Sequence, residues 1–257
     1  MEKIGFSLLT LNSLEMTKLA LGSFMGTATP GTFALSILDN GSDDGTKEWL
    51  KENHYPFIDK AENIGIPKGH NENIRVLMKD PEVKYICIIH NDMIFMPHWY
   101  ERMICLMRQL PDYALLSCCV ISGNSGWEMS EAERINVARA LEKDELGVAN
   151  VDPRIYRRVL FEQLGLFDEN FGLQGCEDCD FYYRLLHAGY KYACTKSVII
   201  YHKTIGSRHG LSGANAEERM SEAYWAKKYP GVNMQHYNTA AIYMEWIGDK
   251  CFRVYGF

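Results

Sequence analysis

The sequence has no uninterrupted apolar run close to the roughly 18 residues that a membrane-spanning helix requires. Its first residues, Met1–Phe6, also lack the apolar core and the small-residue cleavage site of a secretory signal. Internal repeats and low-complexity segments are absent as well. These absences argue against a membrane-spanning, secreted or repeat protein and predict a cytoplasmic one, with association at a membrane surface left open.

Basic residues are outnumbered, since 27 Lys+Arg stand against 33 Asp+Glu and give a formal net charge of −6. This balance argues against a protein that holds nucleic acid through a broad basic face. A small anionic ligand stays compatible with it if a bound metal supplies positive charge. The 257 residues, 47% of them hydrophobic, suffice for a full core and exclude fibrous and disordered chains.

The eight cysteines lie mostly inside apolar runs, which predicts buried, reduced thiols. One pair, Cys176 and Cys179, has the C-x-x-C spacing that redox pairs and half zinc sites share. The sequence has no second C-x-x-C to complete a four-thiolate site. Redox or zinc chemistry is therefore the less favoured reading of this pair.

Short apolar runs alternate with helix-like segments, which predicts an α/β protein whose mostly parallel central sheet has helices on both faces. Residues 122–150, with a capping-box pattern at Ser130 and Glu133, predict an inserted loop and a helix through Leu141. The predicted strands cover residues 4–11, 33–38, 56–58, 85–89, 113–121 and 190–201. The predicted helices cover residues 13–24, 47–53, 68–79, 99–110 and 216–229, with one more from about residue 176 to Gly189.

Polar clusters follow the predicted strands, at the sheet edge where open α/β proteins bind ligands. These clusters are Thr10-Leu11-Asn12, Asp39–Thr46, His90-Asn91-Asp92 and His202-Lys203. Asp39 has two readings: its carboxylate accepts hydrogen bonds from a nucleotide, or it forms a turn and caps a helix. The sequence alone leaves both open.

Three acidic residues and one histidine suit metal and acid–base chemistry. The Asp92 carboxylate suits a hard divalent cation, and a neutral His202 imidazole would complete a Mn²⁺-like site. Glu177 and Asp178 are adjacent at a predicted helix start, where they cap the helix or provide a general base. In the second case we expect Asp178 to be the base and Glu177 to position the acceptor. A turn residue at Asp92 and a core-boundary histidine at 202 are the simpler alternatives.

In this order and spacing, the segments resemble the family 2 glycosyltransferases of the GT-A fold, over roughly residues 4–229. Any single motif is weak, but the ordered set is specific. The matching segments are Thr10-Leu11-Asn12, Asp39–Thr46, Glu62-Asn63-Ile64-Gly65 with Asn71, Asn91-Asp92, Leu164–Phe171, Gly175-x-Glu177-Asp178-x-Asp180 with Arg184 and Gly189, and Tyr201-His202 followed by Gly206-Ser207.

The resemblance implies a GT-A domain over residues 1–229, with a Rossmann-like, nucleotide-binding donor half at about 1–121 and an acceptor half at about 122–229. Residues 230–257 would form an aromatic-rich tail that serves peripheral docking or homo-oligomerisation. The implied activity is inverting transfer of a sugar from a UDP-, dTDP- or GDP-linked donor to a hydroxyl of a glycan, glycolipid or glycoprotein, with Mn²⁺ or Mg²⁺.

Site residues follow from the same resemblance. It assigns Asp178 and Glu177 to catalysis, and Asp92 and His202 to the metal. His90 departs from the family pattern, which commonly has an acidic residue there. Trp127 could stack on an acceptor sugar. The donor nucleotide would contact Thr10, Leu11, Asn12, Asp39, Asn63, Asn71, His90, Asn91 and Arg208.

Two other functions are compatible with the same residues. A catalytically weak nucleotide-sugar or carbohydrate-binding module would keep the fold and have a decayed metal site, which His90 would then report. A nucleotidyltransferase also combines an α/β sheet with a metal, but such enzymes usually carry a Gly-rich basic phosphate loop near the N-terminus. The sequence has no such loop.

Overall fold

The computed structural model describes residues 2–122, 130, 132, 151–202, 214–234, 237, 243–248 and 251–255. The predicted helix of the insert, Trp127 and Arg208 lie outside these residues. No helix within the described ranges combines the length and apolarity needed to cross a membrane.

The N-terminal half is built on four parallel strands. They are β1 Lys3–Thr10, β2 Phe33–Asp39, β3 Phe57–Asp59 and β4 Val83–His90, in the order β3-β2-β1-β4. The alternation of these apolar runs with helical segments, in βαβ order, predicts this parallel arrangement. Because all four strands run the same way, their polar ends lie along one edge of the sheet.

The second half continues the same sheet with mixed pairing. Strand β7 runs antiparallel between β4 and β6, and β8 runs parallel to β6. Strands β10 and β9 add an antiparallel hairpin beyond β8, so the aromatic-rich tail extends the sheet by two strands and β9 forms its edge. The bounds are β5 Met93–Ile94, β6 Tyr113–Ser122, β7 Val151–Arg157, β8 Lys191–His202, β9 Tyr243–Gly248 and β10 Cys251–Tyr255.

The helices begin and end close to the predicted positions. The helix Arg158–Leu164 was not predicted, and α1 ends three residues later than predicted, at Thr27. The helix α3 starts two residues earlier than predicted, where Pro67 fits the first turn of a helix. The helices are α1 Leu14–Thr27, α2 Thr46–Glu52, α3 Ile66–Leu77, α4 Trp99–Gln109, α5 Arg158–Leu164, α6 Glu177–His187 and α7 Ala214–Lys228, with a 3-10 turn at Glu169–Phe171.

Strand β4 separates two hydrophobic cores. Tyr85, Cys87 and Ile89 belong to the cluster that α1 and α4 cover, whereas Ile86 and Ile88 belong to the cluster that α3, α5 and α6 cover. Successive side chains of a strand point to opposite faces, so β4 is buried on both sides. The predicted α/β architecture with helices on both faces is confirmed.

Six cysteines whose side chains the structure describes are free thiols. Of these six, Cys105 is exposed and the other five are buried: Cys87, Cys118, Cys176, Cys179 and Cys194. Burial first, then the neighbouring Asp178 charge, raises the pKa of the Cys179 thiol. A raised pKa disfavours the reactive thiolate. This supports the interpretation of the cysteines as packing residues.

Phe6 tests the larger core. Its side chain is fully buried and its ring contacts those of Phe24, Trp99 and Tyr100. Phe6→Ala should lower the free energy of unfolding by about 3–5 kcal/mol, because it removes buried area and leaves a cavity. Urea denaturation measures this, with Met220→Ala on the exposed face of α7 as the control. A Phe6→Ala loss no larger than that of the control would contradict the assigned core.

Candidate active site

All four predicted polar clusters reach one edge of the sheet. Thr10 on β1 pairs with Asp39 on β2, and Leu9 pairs with His90 on β4. His202 at the end of β8 pairs with Met93 on β5, directly after Asp92. Strand register therefore brings the nucleotide and metal candidates together, as the sequence predicts.

The Asp39 carboxylate organises the loop that follows β2. It is fully buried, and its oxygens accept hydrogen bonds from Thr10 Oγ1 at 2.8 Å, Ser42 Oγ at 2.6 Å and Ser42 N at 2.8 Å. This geometry matches the turn-forming reading of Asp39. The nucleotide contacts predicted for Thr10 and Asp39 stay predictions, because both side chains are buried beneath the loop.

The turn after β1 is pinned to the same loop. Asn12 N donates to Ser42 Oγ at 2.7 Å, and Asn12 Oδ1 accepts from Asp43 N at 2.9 Å. Asn12 and Ser13 both have left-handed backbone, with φ of +54° and +63°, which is costly for residues other than glycine. The preceding Leu11 is half-buried. The hydrogen bonds hold this strained turn at the rim of the candidate site.

Asn63 and Asn71 connect loops. Asn63 Oδ1 accepts from Asn40 Nδ2 at 2.8 Å and from Gly65 N at 2.9 Å. Asn71, almost fully buried, donates to Phe167 O at 2.9 Å and accepts from Phe167 N at 3.0 Å. The amide of Asn71 therefore ties α3 to the segment that leads to α6, and donor contacts by either residue stay predictions.

Asn91 connects the end of β4 to the first helix. Its Nδ2 donates to Thr17 Oγ1 at 3.0 Å, and its side chain is largely buried. The structure thus gives Asn91 a role in fixing α1 beside the metal candidates. A nucleotide contact by Asn91 stays a prediction.

Asp92 and His202 form a close pair at the sheet edge. Asp92 Oδ1 lies 3.0 Å from His202 Nε2, and the two side chains are only 11% and 14% exposed. Burial raises the pKa of Asp92, but the His202 hydrogen bond and the charges of His202 and His90 outweigh it and lower that pKa. The His90 ring stacks on that of His202, with centroids 5.6 Å apart.

This pair fits one side of a divalent-cation site. A carboxylate oxygen and an imidazole nitrogen converge there, and Nδ1 of His202 is buried without a hydrogen-bond partner among the described residues. The described ranges contain no group of three or more His, Cys, Asp or Glu side chains placed to hold a metal. Two protein ligands suit Mg²⁺ or Mn²⁺, which commonly complete their coordination with phosphate oxygens and water.

Asp178 lies in the first turn of α6, as predicted, and its side chain is one-third exposed. Asp178 Oδ1 accepts from Cys179 N at 2.8 Å, and Oδ2 lies 3.4 Å from Nη2 of Arg154. Glu177 is half-buried beside it. Sequence reasoning missed Arg154. A usable signal was that this charged residue lies in a strand, β7, that pairs with the apolar strands β4 and β6 on its two sides.

Asp180, the last acidic residue of the motif, anchors α6. It is fully buried and accepts hydrogen bonds from Arg184 Nε at 2.8 Å and Tyr229 Oη at 2.8 Å, and it pairs with Lys228. Lys228 also contacts Asp168 at 2.7 Å. Burial raises the pKa of Asp168, but the bonds from Lys228 and Asn170 outweigh it and hold that pKa at about 2.

Solved structures share this fold. The crystal structure of S. aureus TarS residues 1–349 gives a TM-score of 0.59 at 14% identity, over 91% of this chain and 68% of that one. The same TarS segment with UDP gives 0.59 at 15% identity with the same coverage. GalNAc-T7 with UDP, GalNAc and Mn²⁺ gives 0.62 at 11% identity over 79% of this chain, which spans only 44% of that protein. A search of curated proteins found no sequence match.

The fold, with its polar strand ends, is that of a GT-A glycosyltransferase, which confirms the predicted fold class. The model of glycosyl transferase family 2 matches residues 9–182, more than half of the chain. The chain therefore belongs to glycosyl transferase family 2 and is an enzyme of that class. The family and enzyme class predicted from sequence are confirmed.

Lys228 tests the anchoring of α6. Lys228→Met should lower the free energy of unfolding at neutral pH by about 3 kcal/mol, because it leaves the buried Asp180 carboxylate without its ammonium partner. Urea denaturation measures the change, and the exposed Lys227→Met is the matched control. Equal stability of the two variants would contradict the network.

The same network predicts a pH dependence. The folded-state pKa of Asp168 is lowered from 3.8 to about 2, so its contribution to stability is complete above 3.8 and is lost as the pH falls towards 2. Lys228→Met should reduce this loss of unfolding free energy at acid pH, whereas Lys227→Met should leave the loss unchanged. The measurement is the free energy of unfolding as a function of pH, and an unchanged loss in Lys228→Met would contradict the pairing.

Proposed function

We propose that the chain is a metal-dependent, inverting glycosyltransferase that moves a sugar from a nucleoside-diphosphate donor to a hydroxyl acceptor. The observation that carries this proposal is the convergence of Asp92 and His202 at the strand ends where the fold binds nucleotides, with Asp178 on α6 in contact with Arg154 of the same sheet. Family membership supports the sugar transfer, and this arrangement supports the roles proposed for the residues.

Donor chemistry is the better supported half of the proposal. UDP is present in the TarS and GalNAc-T7 structures, which favours a uridine donor over the dTDP- and GDP-linked alternatives. Asp92 and His202 would hold Mn²⁺ or Mg²⁺, and the cation would neutralise charge on the departing diphosphate. The Mn²⁺ in the GalNAc-T7 structure supports the use of a divalent metal.

Asp178 supplies the base. The acceptor hydroxyl gives its proton to a carboxylate oxygen of Asp178 as its own oxygen bonds to C1 of the donor sugar. The bond between C1 and the diphosphate oxygen breaks, and the nucleoside diphosphate leaves from the opposite face, which inverts C1. Glu177, half-buried beside Asp178, positions the acceptor.

The acceptor part of the proposal is less well defined than the donor part. We expect a hydroxyl of a glycan, glycolipid or glycoprotein, with Trp127 stacking on the acceptor sugar and Arg208 adding charge near the diphosphate. A cytoplasmic site of action, peripheral membrane association and homo-oligomerisation through the tail stay predictions of the sequence.

Release of nucleoside diphosphate from UDP-, dTDP- and GDP-sugars tests the proposal without a known acceptor, because water can replace it. Wild type should release UDP only with Mn²⁺ or Mg²⁺. Asp92→Ala should abolish the metal-dependent release, and Asp178→Asn should lower the rate about 10²- to 10⁴-fold while UDP binding is retained.

Asp112→Asn is the matched control, since Asp112 is 76% exposed at the turn before β6 and should keep the wild-type rate. Absence of release from every donor, together with no thermal stabilisation by nucleotide and metal, would contradict the enzymatic proposal. That result would favour the catalytically weak binding module. The first explanation would then be a weakened metal site, because His90 stands where the family commonly has an acidic residue.

A further inference from the structure

Arg154 is a charged residue in the middle of the sheet. It lies on β7, where its backbone pairs with Ile88 of β4 on one side and with Ser117 of β6 on the other. Its side chain is only 4% exposed. Arginine is rarely buried to this degree unless it is paired, so its partner indicates its purpose.

The partner is the proposed base. Nη1 and Nη2 of Arg154 lie 3.5 and 3.4 Å from Oδ2 of Asp178, and the guanidinium lies over the ring of Tyr182 at 4.9 Å. The Tyr182 ring packs against the flat guanidinium and limits its rotation. Both terminal nitrogens, Nη1 and Nη2, face the same oxygen of Asp178. Because Oδ1 is held by Cys179 N, both oxygens of Asp178 have a fixed partner.

A purely structural pair would have different geometry. The distances to Asp178 exceed those of strong charge-assisted bonds and Asp178 is one-third exposed, whereas a pair that serves stability alone is expected to be short and buried on both sides. Arg157, three residues further along β7 and on the other face, shows the structural arrangement. It donates to the backbone oxygens of Tyr113 at 2.8 Å and Leu110 at 3.1 Å, and to that of Met107.

Arg154 also connects the two halves of the site. Its pairing partner Ile88 lies on β4, two residues before the strand ends at His90, so Arg154 links β7, the strand next to β4, to the first turn of α6. We propose that Arg154 is a positioning residue that holds the Asp178 carboxylate towards the acceptor. This inference rests on the proposed function, in which Asp178 is the base.

The chemistry assigns the proton to Asp178 alone. The arginine guanidinium stays protonated at any working pH, so it neither gives nor takes the proton in the transfer. It fixes the direction in which the free lone pairs of Asp178 face the hydroxyl. A misplacement of about 1 Å at such a group can cost about 10²-fold in rate.

The test compares Arg154→Met and Arg154→Lys with Arg157→Met and Asp178→Asn, by UDP release from the UDP-sugar that wild type uses. Arg154→Met should lower kcat about 10²-fold and leave the KM for the donor within about twofold of wild type. Guanidinium chloride at millimolar concentration should restore part of that rate, because it supplies the pair of N–H donors that Arg154 presents to Asp178. Arg157→Met should lose thermal stability, keep kcat and show no rescue.

Arg154→Lys keeps the charge without the fork, so it should lose rate with an unchanged donor KM even if the Met variant folds poorly. If wild type releases no nucleotide, or if Asp178→Asn keeps the full rate, the proposed function and the role of Arg154 fail together. If Asp178→Asn loses rate and the Arg154 variants do not, or if guanidinium rescues Arg157→Met equally, the role of Arg154 alone is wrong.

Discussion

Burial of β4 on both faces is the constraint on which the rest of the structure depends. From Tyr85 to Ile89 its side chains alternate between two cores, so neither face can accept a polar residue in that run before the strand reaches the sheet edge at His90. The first polar side chains after this apolar run are therefore confined to the edge, next to the ends of β1 and β2. Strand β8 reaches the same edge through its pairing with β5. The contact between Asp92 and His202, two residues from distant segments, follows from that pairing.

The edge is held in shape by bonds among its own residues. The Asp39 carboxylate bonds to the β1 strand end and to its own loop, and the Asn12 and Asn63 amides join that loop to its neighbours. Gly41 is required there, because a Cβ at its φ of +93° would lie 2.8 Å from the backbone of Glu62. Groups fixed in this way need little reorganisation when a charged ligand arrives. Residues that look like ligand contacts in the sequence can thus act by shaping the site.

Local patterns were sufficient to predict six of the ten described strands, most helix bounds and the strand-end clusters, because apolar periodicity and turn chemistry are short-range signals. Long-range pairing was not accessible in this way. The Arg154 contact with Asp178 and the Lys228 contacts with Asp168 and Asp180 depend on how distant elements pack. The antiparallel insertion of β7 and the hairpin formed by the tail depend on pairing choices that no local window contains. The sequence could not decide between the two interpretations of Asp39, because the decision depends on the hydrogen bonds that its carboxylate oxygens accept.

The acidic motif of α6 shows how one helical turn can serve two purposes. Residues two apart on a helix lie about 200° apart around its axis, so Asp178 and Asp180 face opposite sides. Asp180 faces inward, where α7 and Arg184 neutralise it, whereas Asp178 stays one-third exposed beside Arg154. A shift of α6 by two residues would place Asp178 at the buried position of Asp180, away from Arg154. The buried Asp180 network therefore sets the rotation of the helix, and that rotation leaves the Asp178 carboxylate, the proposed base, exposed.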